Sequence, residues 1–195
     1  MNLLIDDLPT TVEVNGKEYP INSDFRSCLR VIMAFEDEGL TGYEKQMIML
    51  VNLYPKIPND VTEAMRQASL FLNGGKESKE ESQHRLYSFS KDANLIFAAF
   101  RQTHNIDLES ERLHWWKFMA LFMDLGAETT FCQLVGLRKR YKAGRATKEE
   151  KRAIMEMGDL FDIPEVDERT IEQMEAERRY DEAVAEGERM RANGR

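Results

Sequence analysis

The sequence predicts a mainly α-helical protein: a multi-helix bundle with a short N-terminal β-hairpin and a charged C-terminal helical tail. Apolar residues make up 42% of the chain, which is enough for a packed core. Only five prolines and eleven glycines occur, and this scarcity favours long helices over a β fold with many turns. We expect one helical domain over residues 1–165 and a charged tail, helical or disordered, over residues 166–195.

The first predicted element is a hairpin at about residues 11–21. Residues 12–14 and 18–21 are rich in strand-forming side chains, and they flank the pair Asn15-Gly16. An Asn-Gly pair tolerates the positive φ angles of a tight turn. We therefore expect two short antiparallel strands joined at this pair.

Capping signals divide the rest of the chain into helices. An N-cap side chain accepts a hydrogen bond from an unpaired N–H of the first turn. Residues 41–44 and 147–150 both have the Thr-x-x-Glu form of a capping box. The predicted helices start at Ser23 or Asp24, Thr41, Asn59 or Asp60, about Leu86, Leu113, Thr129 or Thr130, and Thr147.

Residues 113–125, with the sequence LHWWKFMALFMDL, form the most apolar predicted helix. At 3.6 residues per turn, only His114, Lys117 and Asp124 fall on a polar strip. A helix that is apolar nearly all round must be enclosed by protein or lipid. Crossing a bilayer needs about 20 apolar residues, so this helix is too short. It is expected either at the centre of the bundle or beneath a partner chain.

The two tryptophans of this helix suggest a binding surface. Adjacent helical residues point about 100° apart, so Trp115 and Trp116 are not expected to share one face. Core packing of both is one interpretation. Because tryptophan is enriched among binding hot spots, the alternative is that one of them lines a partner-binding groove. The residues predicted for this groove are Trp116, Met119 and Met123.

No pattern in the sequence indicates catalysis, a cofactor or a metal. The histidines, His84, His104 and His114, are far apart, and neither cysteine, Cys28 or Cys132, lies near them. Phosphate-binding loops and nucleophile motifs are absent from the sequence. We therefore expect a protein that is not an enzyme, with no catalytic, cofactor-binding or metal-binding residues.

The net charge of -8 disfavours general attraction to nucleic acid and to anionic membranes. No window is long and apolar enough to span a bilayer, and two cysteines without a disulfide framework favour a reducing cytoplasm. One basic patch departs from the acidic balance. It contains Arg138, Lys139, Arg140, Lys142 and Arg145.

This basic patch has three interpretations. It could bind RNA, DNA or an acidic partner. Alternatively, its cations complement the dipole of a helix C-terminus and continue into a solvated loop. Acidic residues of the tail, such as Glu172 and Glu175, also offer an intramolecular partner.

Several blocks of residues together resemble one family. Residues 12–22, 24–26, 91–100 and 106–108, followed by His-Trp-Trp-Lys-Phe at 114–118, are similar to the bacteriophage gene-product-fifteen family of long-tailed phages and prophages. The resemblance covers Val12 to about Phe161, and the His-Trp-Trp-Lys-Phe block is its most specific part.

The resemblance implies a role in tail assembly. Such proteins are encoded in the tail module near the tape-measure gene, and the family has no established catalytic residues. The implied function is a non-enzymatic chaperone that binds helical segments of the tape-measure protein, in the host bacterial cytoplasm. Other tail-assembly proteins and a second copy of the chain are further expected partners. The alternatives are a minor structural component of the tail and, less favoured, a nucleic-acid-binding regulator.

Overall fold

The computed structural model describes residues 3–77 and 85–163 of the chain. Within these residues the protein is mainly helical, with seven α-helices and one two-stranded antiparallel sheet. The predicted fold class is thereby confirmed. The predicted tail over residues 166–195 lies outside the described residues.

Two strands precede seven α-helices in the described residues. In chain order they are β1 (Thr11–Val14), β2 (Lys17–Pro20), α1 (Phe25–Glu36), α2 (Gly42–Leu53), α3 (Val61–Leu72), α4 (Ala93–His104), α5 (Trp115–Met123), α6 (Thr130–Lys142) and α7 (Lys148–Met157). A 3-10 turn at Gly158–Leu160 continues from α7.

The hairpin forms where the Asn-Gly pair predicts it. Val14 pairs with Lys17, which leaves a two-residue turn with φ values of 50° at Asn15 and 76° at Gly16. Two consecutive positive φ angles are typical of the type I′ turn, whose twist matches that of paired strands. Val14 and Ile21 are buried in the main core, so the hairpin is packed onto the helices.

The capping signals identified the starts of five helices. Asp24, Thr41, Asp60, Thr129 and Thr147 each accept a hydrogen bond from a backbone N–H of the first turn. Both capping boxes are complete. These side chains satisfy N–H groups that have no partner within the helix, which is why such local patterns locate helix ends well.

The predicted start of the fourth helix at Leu86 is wrong. The helix begins at Ala93, and residues 85–92 follow an irregular path instead. Ser88 Oγ and the backbone N–H groups of Phe89 and Ser90 all donate to the carboxylate of Glu36 at the end of α1. A buried carboxylate that needs several donors therefore outweighs the helical pattern of this segment.

The predicted helix at residues 113–125 is shorter than expected. It runs over Trp115–Met123, because His114 has an extended backbone and acts as the N-cap. Trp115, Phe118 and Phe122 are its buried residues. A helix of nine residues with both ends in loops therefore packs one face into the core.

Phe118 lies at the centre of an aromatic cluster. Its side chain is 0% exposed, and its ring stacks on Phe25 and Phe100 with centroid distances of 4.9 and 5.0 Å. Trp115 and Phe122 also stack with it, at 5.6 and 6.2 Å. This cluster joins α5 to α1 and α4, so the position of α5 is fixed by aromatic packing.

Candidate partner-binding surface

The two tryptophans of α5 cap the C-terminal end of α3. Trp115 Nε1 donates to the carbonyl of Leu72 at 2.8 Å, and Trp116 Nε1 donates to the carbonyl of Phe71 at 2.7 Å. The last carbonyls of a helix have no partner within it. The adjacent indoles therefore reach adjacent carbonyls, and the Trp-Trp pair connects two helices.

Much of the Trp116 side chain packs against the end of α3. Its ring lies 5.7 Å from that of Phe71, and it packs closely on Gly75, where an added Cβ would lie 3.2 Å from Trp116 Cη2. Gly75 also has a φ of 79°, which side-chain-bearing residues rarely adopt. Trp116 is half-buried, so only part of its ring could face a partner.

His114 joins three segments of the chain. Its Nδ1 accepts from the N–H of Trp116 at 3.0 Å, so Nε2 carries the proton of a neutral ring and donates to the carbonyl of Pro9 at 2.9 Å. The backbone N–H of Trp115 donates to the carbonyl of Ser23, just before α1. The His-Trp-Trp block therefore holds the chain before the hairpin, the start of α1 and the end of α3.

The three residues predicted to bind a partner differ in exposure. Trp116 and Met119 are half-buried and pack against the core, whereas Met123 is 77% exposed. Lys117 and Ala120 are also exposed, so one strip of α5 is open to solvent. The described residues of this chain therefore do not enclose that strip, and of the two expected positions only a covering partner chain would enclose it.

Arg138 does not belong to the basic surface patch in which it was predicted. The residue is 1% exposed, and its guanidinium donates to both carboxylate oxygens of Asp92, at 2.7 and 3.1 Å. It also donates to the carbonyls of Leu160 and Phe161. This position on α6 faces the irregular segment before α4, and a buried charge there requires a partner.

The other four residues of the patch are exposed: Lys139, Arg140, Lys142 and Arg145. Arg140 forms an ion pair with Glu150 at 2.7 Å, which joins α6 to α7. Lys142 donates to the carbonyl of Arg85 at 2.9 Å. Two of these cations thus also connect parts of the fold.

A buried polar network, which sequence reasoning missed, lies next to Arg138. Ser88 Oγ donates to Glu36 at 2.6 Å, while the N–H of Ser88 donates to Asp92 at 3.0 Å. Glu36 also forms an ion pair with Arg85, whose burial lowers the pKa of its guanidinium. Each carboxylate therefore has an arginine partner and several donors, an arrangement suited to holding segments together.

Local sequence patterns gave little indication of this network. Glu36 and Ser88 are 52 residues apart, and an isolated glutamate near a helix end is an ordinary surface pattern. The one available hint was the spacing of Ser88 and Asp92. Short polar side chains at such spacing often bond to nearby backbone groups instead of extending a helix.

An open groove lies between α4, α6 and α7. We define this α6–α7 groove by its apolar walls, to which Leu95, Leu134, Leu137, Met157 and Leu160 contribute. Its volume is about 550 Å³, and Arg140 and Glu150 lie at its edge. No residue of α7 is buried, although the apolar side chains Ile154 and Met157 recur at helical spacing along it. The groove therefore leaves apolar surface of two helices accessible.

The described residues contain no group of three or more histidine, cysteine or acidic side chains that could hold a metal ion. His104 bonds to the carbonyl of Leu121 at 2.9 Å. Burial, followed by the nearby charge of Asp24, raises the pKa of the Cys28 thiol to about 12, whereas Cys132 is half-buried at the groove. None of the helices in the described ranges is both long and apolar enough to cross a membrane.

Comparison with protein families matches residues 4–163 to the family described as bacteriophage Gp15 protein. No curated protein and no solved structure matches the chain. The matched range contains the tryptophan cap of α3, the buried network and the α6–α7 groove. The chain therefore belongs to the bacteriophage Gp15 family, and this membership indicates a phage structural or assembly protein.

Proposed function

We propose that this protein is a chaperone of phage tail assembly that binds helical segments of the tape-measure protein. Membership of the bacteriophage Gp15 family supports a structural or assembly role. The observation that carries the finer proposal is the α6–α7 groove, an apolar surface left accessible in an otherwise packed fold. Binding would take place in the host bacterial cytoplasm, together with other tail-assembly proteins.

The groove has the properties that helix recognition needs. An amphipathic helix lays its apolar face into an apolar groove through side chains three or four residues apart. Leu134 and Leu137 form one wall with helical spacing, while Met157 adds a flexible, polarisable side chain to the other. The volume of about 550 Å³ lies within the usual range of ligand sites, about 300–1,000 Å³.

The open strip of α5 is a proposed second contact. Met123 offers the largest exposed apolar side chain there, next to the half-buried Met119 and the accessible part of Trp116. A charged substitution of Trp116 would also break its hydrogen bond to Phe71 and disturb α3. Met123 is therefore the better residue for testing this contact.

Co-expression with the tape-measure protein tests the groove. Met157→Asp and Leu160→Asp place a charge on its wall at positions that are 38% and 50% exposed, so both variants should fold. We expect each to lower co-purification by about tenfold, because desolvating one carboxylate costs at least about 1.4 kcal/mol. Met155→Asp is the matched control: it lies on the same helix, is 83% exposed and does not line the groove.

Co-purification of a folded Met157→Asp variant at the wild-type level would contradict the groove as the binding site. The same experiment with Met123→Asp decides whether the strip of α5 contributes. Mass spectrometry of purified particles separates the chaperone from the alternative of a minor tail component. A chaperone should be scarce in the finished particle, whereas a structural component should be present in fixed proportion.

A further inference from the structure

We propose that residues 164–188 of this same chain bind in the α6–α7 groove and against the exposed cations of α6, α7 and their connection. The segment would cover the groove until a partner helix displaces it. Binding of the segment does not depend on the proposed function. Its effect on partner binding, by contrast, rests on that function. The segment lies outside the described residues, and its sequence together with the geometry of the described residues supports the proposal.

The segment begins where the chain reaches the groove. Leu160 lines the groove, Phe161 is buried next to α6, and the last described residue is Ile163. The segment therefore leaves the body at the groove itself. Even in a compact helical form, its 25 residues would extend roughly 37 Å, about twice the length of α6.

The segment and the exposed surface of α6 and α7 carry opposite charges. The exposed cations of α6, α7 and their connection are Lys139, Arg140, Lys142, Arg145, Lys148, Lys151 and Arg152. Only two acidic residues, Glu149 and Glu150, lie among them. Residues 164–188 contain ten acidic residues and three arginines. Because both sets of charges belong to one chain, the effective concentration of the segment at the groove is high, and a modest attraction is enough for binding.

The segment also contains apolar side chains at helical spacing. Ile171 and Met174 are three residues apart, and Tyr180 and Val184 are four apart. Each pair shares one side of a helix, but the two pairs point about 130° apart, so the apolar face offered to the groove consists of Ile171 and Met174. The groove offers leucine and methionine walls for this pair, and the cation Arg140 is among its lining residues.

Cys132 provides a probe of groove coverage in the full-length chain. It lines the groove and is half-buried, whereas Cys28 is 0% exposed with a thiol pKa raised to about 12. Alkylation under native conditions, located by mass spectrometry, therefore reports on Cys132. The double variant Ile171→Asp/Met174→Asp should react at least about fivefold faster, which corresponds to a groove covered about 80% of the time in the wild-type chain.

This design separates coverage from electrostatics. Extra negative charge by itself disfavours the thiolate and slows alkylation, so faster reaction of the aspartate variant must come from exposure. Met190→Asp is the matched control, since it adds a charge to the same end of the chain but outside residues 164–188. Unchanged reactivity of Ile171→Asp/Met174→Asp, or an equal change in Met190→Asp, would overturn the proposal.

Protein concentration identifies the occupant. Protection of Cys132 that stays constant on dilution supports binding within one chain. Protection that is lost on dilution would overturn the proposal in favour of a second copy. If Met157→Asp loses the tape-measure protein while the reactivity of Cys132 is unaffected by Ile171→Asp/Met174→Asp, this inference fails and the proposed function stands.

Discussion

Arg138 binds Asp92 through two hydrogen bonds, 2.7 and 3.1 Å long, between side chains that are 1% and 0% exposed. The pair joins α6 to the residue that precedes α4. Through its bonds to the carbonyls of Leu160 and Phe161, the same guanidinium also fixes the turn after α7. A residue that the sequence placed in a basic surface patch therefore stabilises the wall of the groove from inside.

Arg138→Met should lower the free energy of unfolding by about 3–5 kcal/mol, because it leaves the carboxylate of Asp92 buried without a counter-ion. Urea denaturation followed by circular dichroism measures this loss. Lys139→Met, at the exposed neighbouring position, should stay within about 0.5 kcal/mol of the wild type. A loss below about 1 kcal/mol for Arg138→Met would show that the pair is accessible to water.

Phe118→Ala should destabilise the protein by about 3–5 kcal/mol, because it removes the central ring of the aromatic cluster and leaves a cavity. The midpoint of urea denaturation should fall accordingly. Met123→Ala, on the same helix but 77% exposed, serves as the comparison and should change stability by less than about 0.5 kcal/mol. Equal effects of the two substitutions would contradict the position of α5.

Substitution of either tryptophan by phenylalanine tests the cap of α3. Trp115→Phe leaves the carbonyl of Leu72 without its indole donor and should cost about 1–3 kcal/mol. Trp116→Phe should cost less, because the carbonyl of Phe71 also accepts from the N–H of Gly74 at 3.1 Å. Urea denaturation measures which of the two variants loses more stability. Hydrogen exchange of the backbone amides at the end of α3 shows whether the loss is located there. The reverse order would contradict this account.

Glu63 gives the fold a pH dependence of known sign. Hydrogen bonds from Arg66, then from Gln67, lower the pKa of its carboxyl from 4.5 to about 2. Its contribution is present above the unfolded-state pKa and is lost as the pH falls from about 4.5 towards 2. The Tm difference between wild type and Glu63→Gln should therefore shrink across this range. A constant difference would mean that the carboxyl has an ordinary pKa.

Local signals predicted much of the fold. Sequence alone locates features that depend only on adjacent residues. Examples are the Asn15-Gly16 turn and the capping residues Thr41 and Thr147. The start of the fourth helix was predicted wrongly because the irregular segment before it, residues 85–92, is bound by Glu36, which is distant in sequence. The spacing of apolar residues in this segment does not reveal that a buried carboxylate of another helix will bind it.

The candidate site was predictable only in part. The sequence indicated an accessible apolar surface at Met123, and the structure leaves that side chain exposed. The α6–α7 groove was not foreseen, because its walls look like ordinary core stripes until the packing of α7 is known. Arg138 was misassigned for a related reason: its sequence neighbours are exposed cations, and only the tertiary position of Asp92 distinguishes it.

The tryptophan cap has a practical consequence for spectroscopy of this protein. The chain contains two tryptophans, and both lie at the contact between α5 and α3. Intrinsic tryptophan fluorescence therefore reports on that one contact and is nearly insensitive to changes beside α7. A ligand that shifts the emission maximum must act on α3 or α5, while a ligand that binds only in the α6–α7 groove would leave the spectrum unchanged.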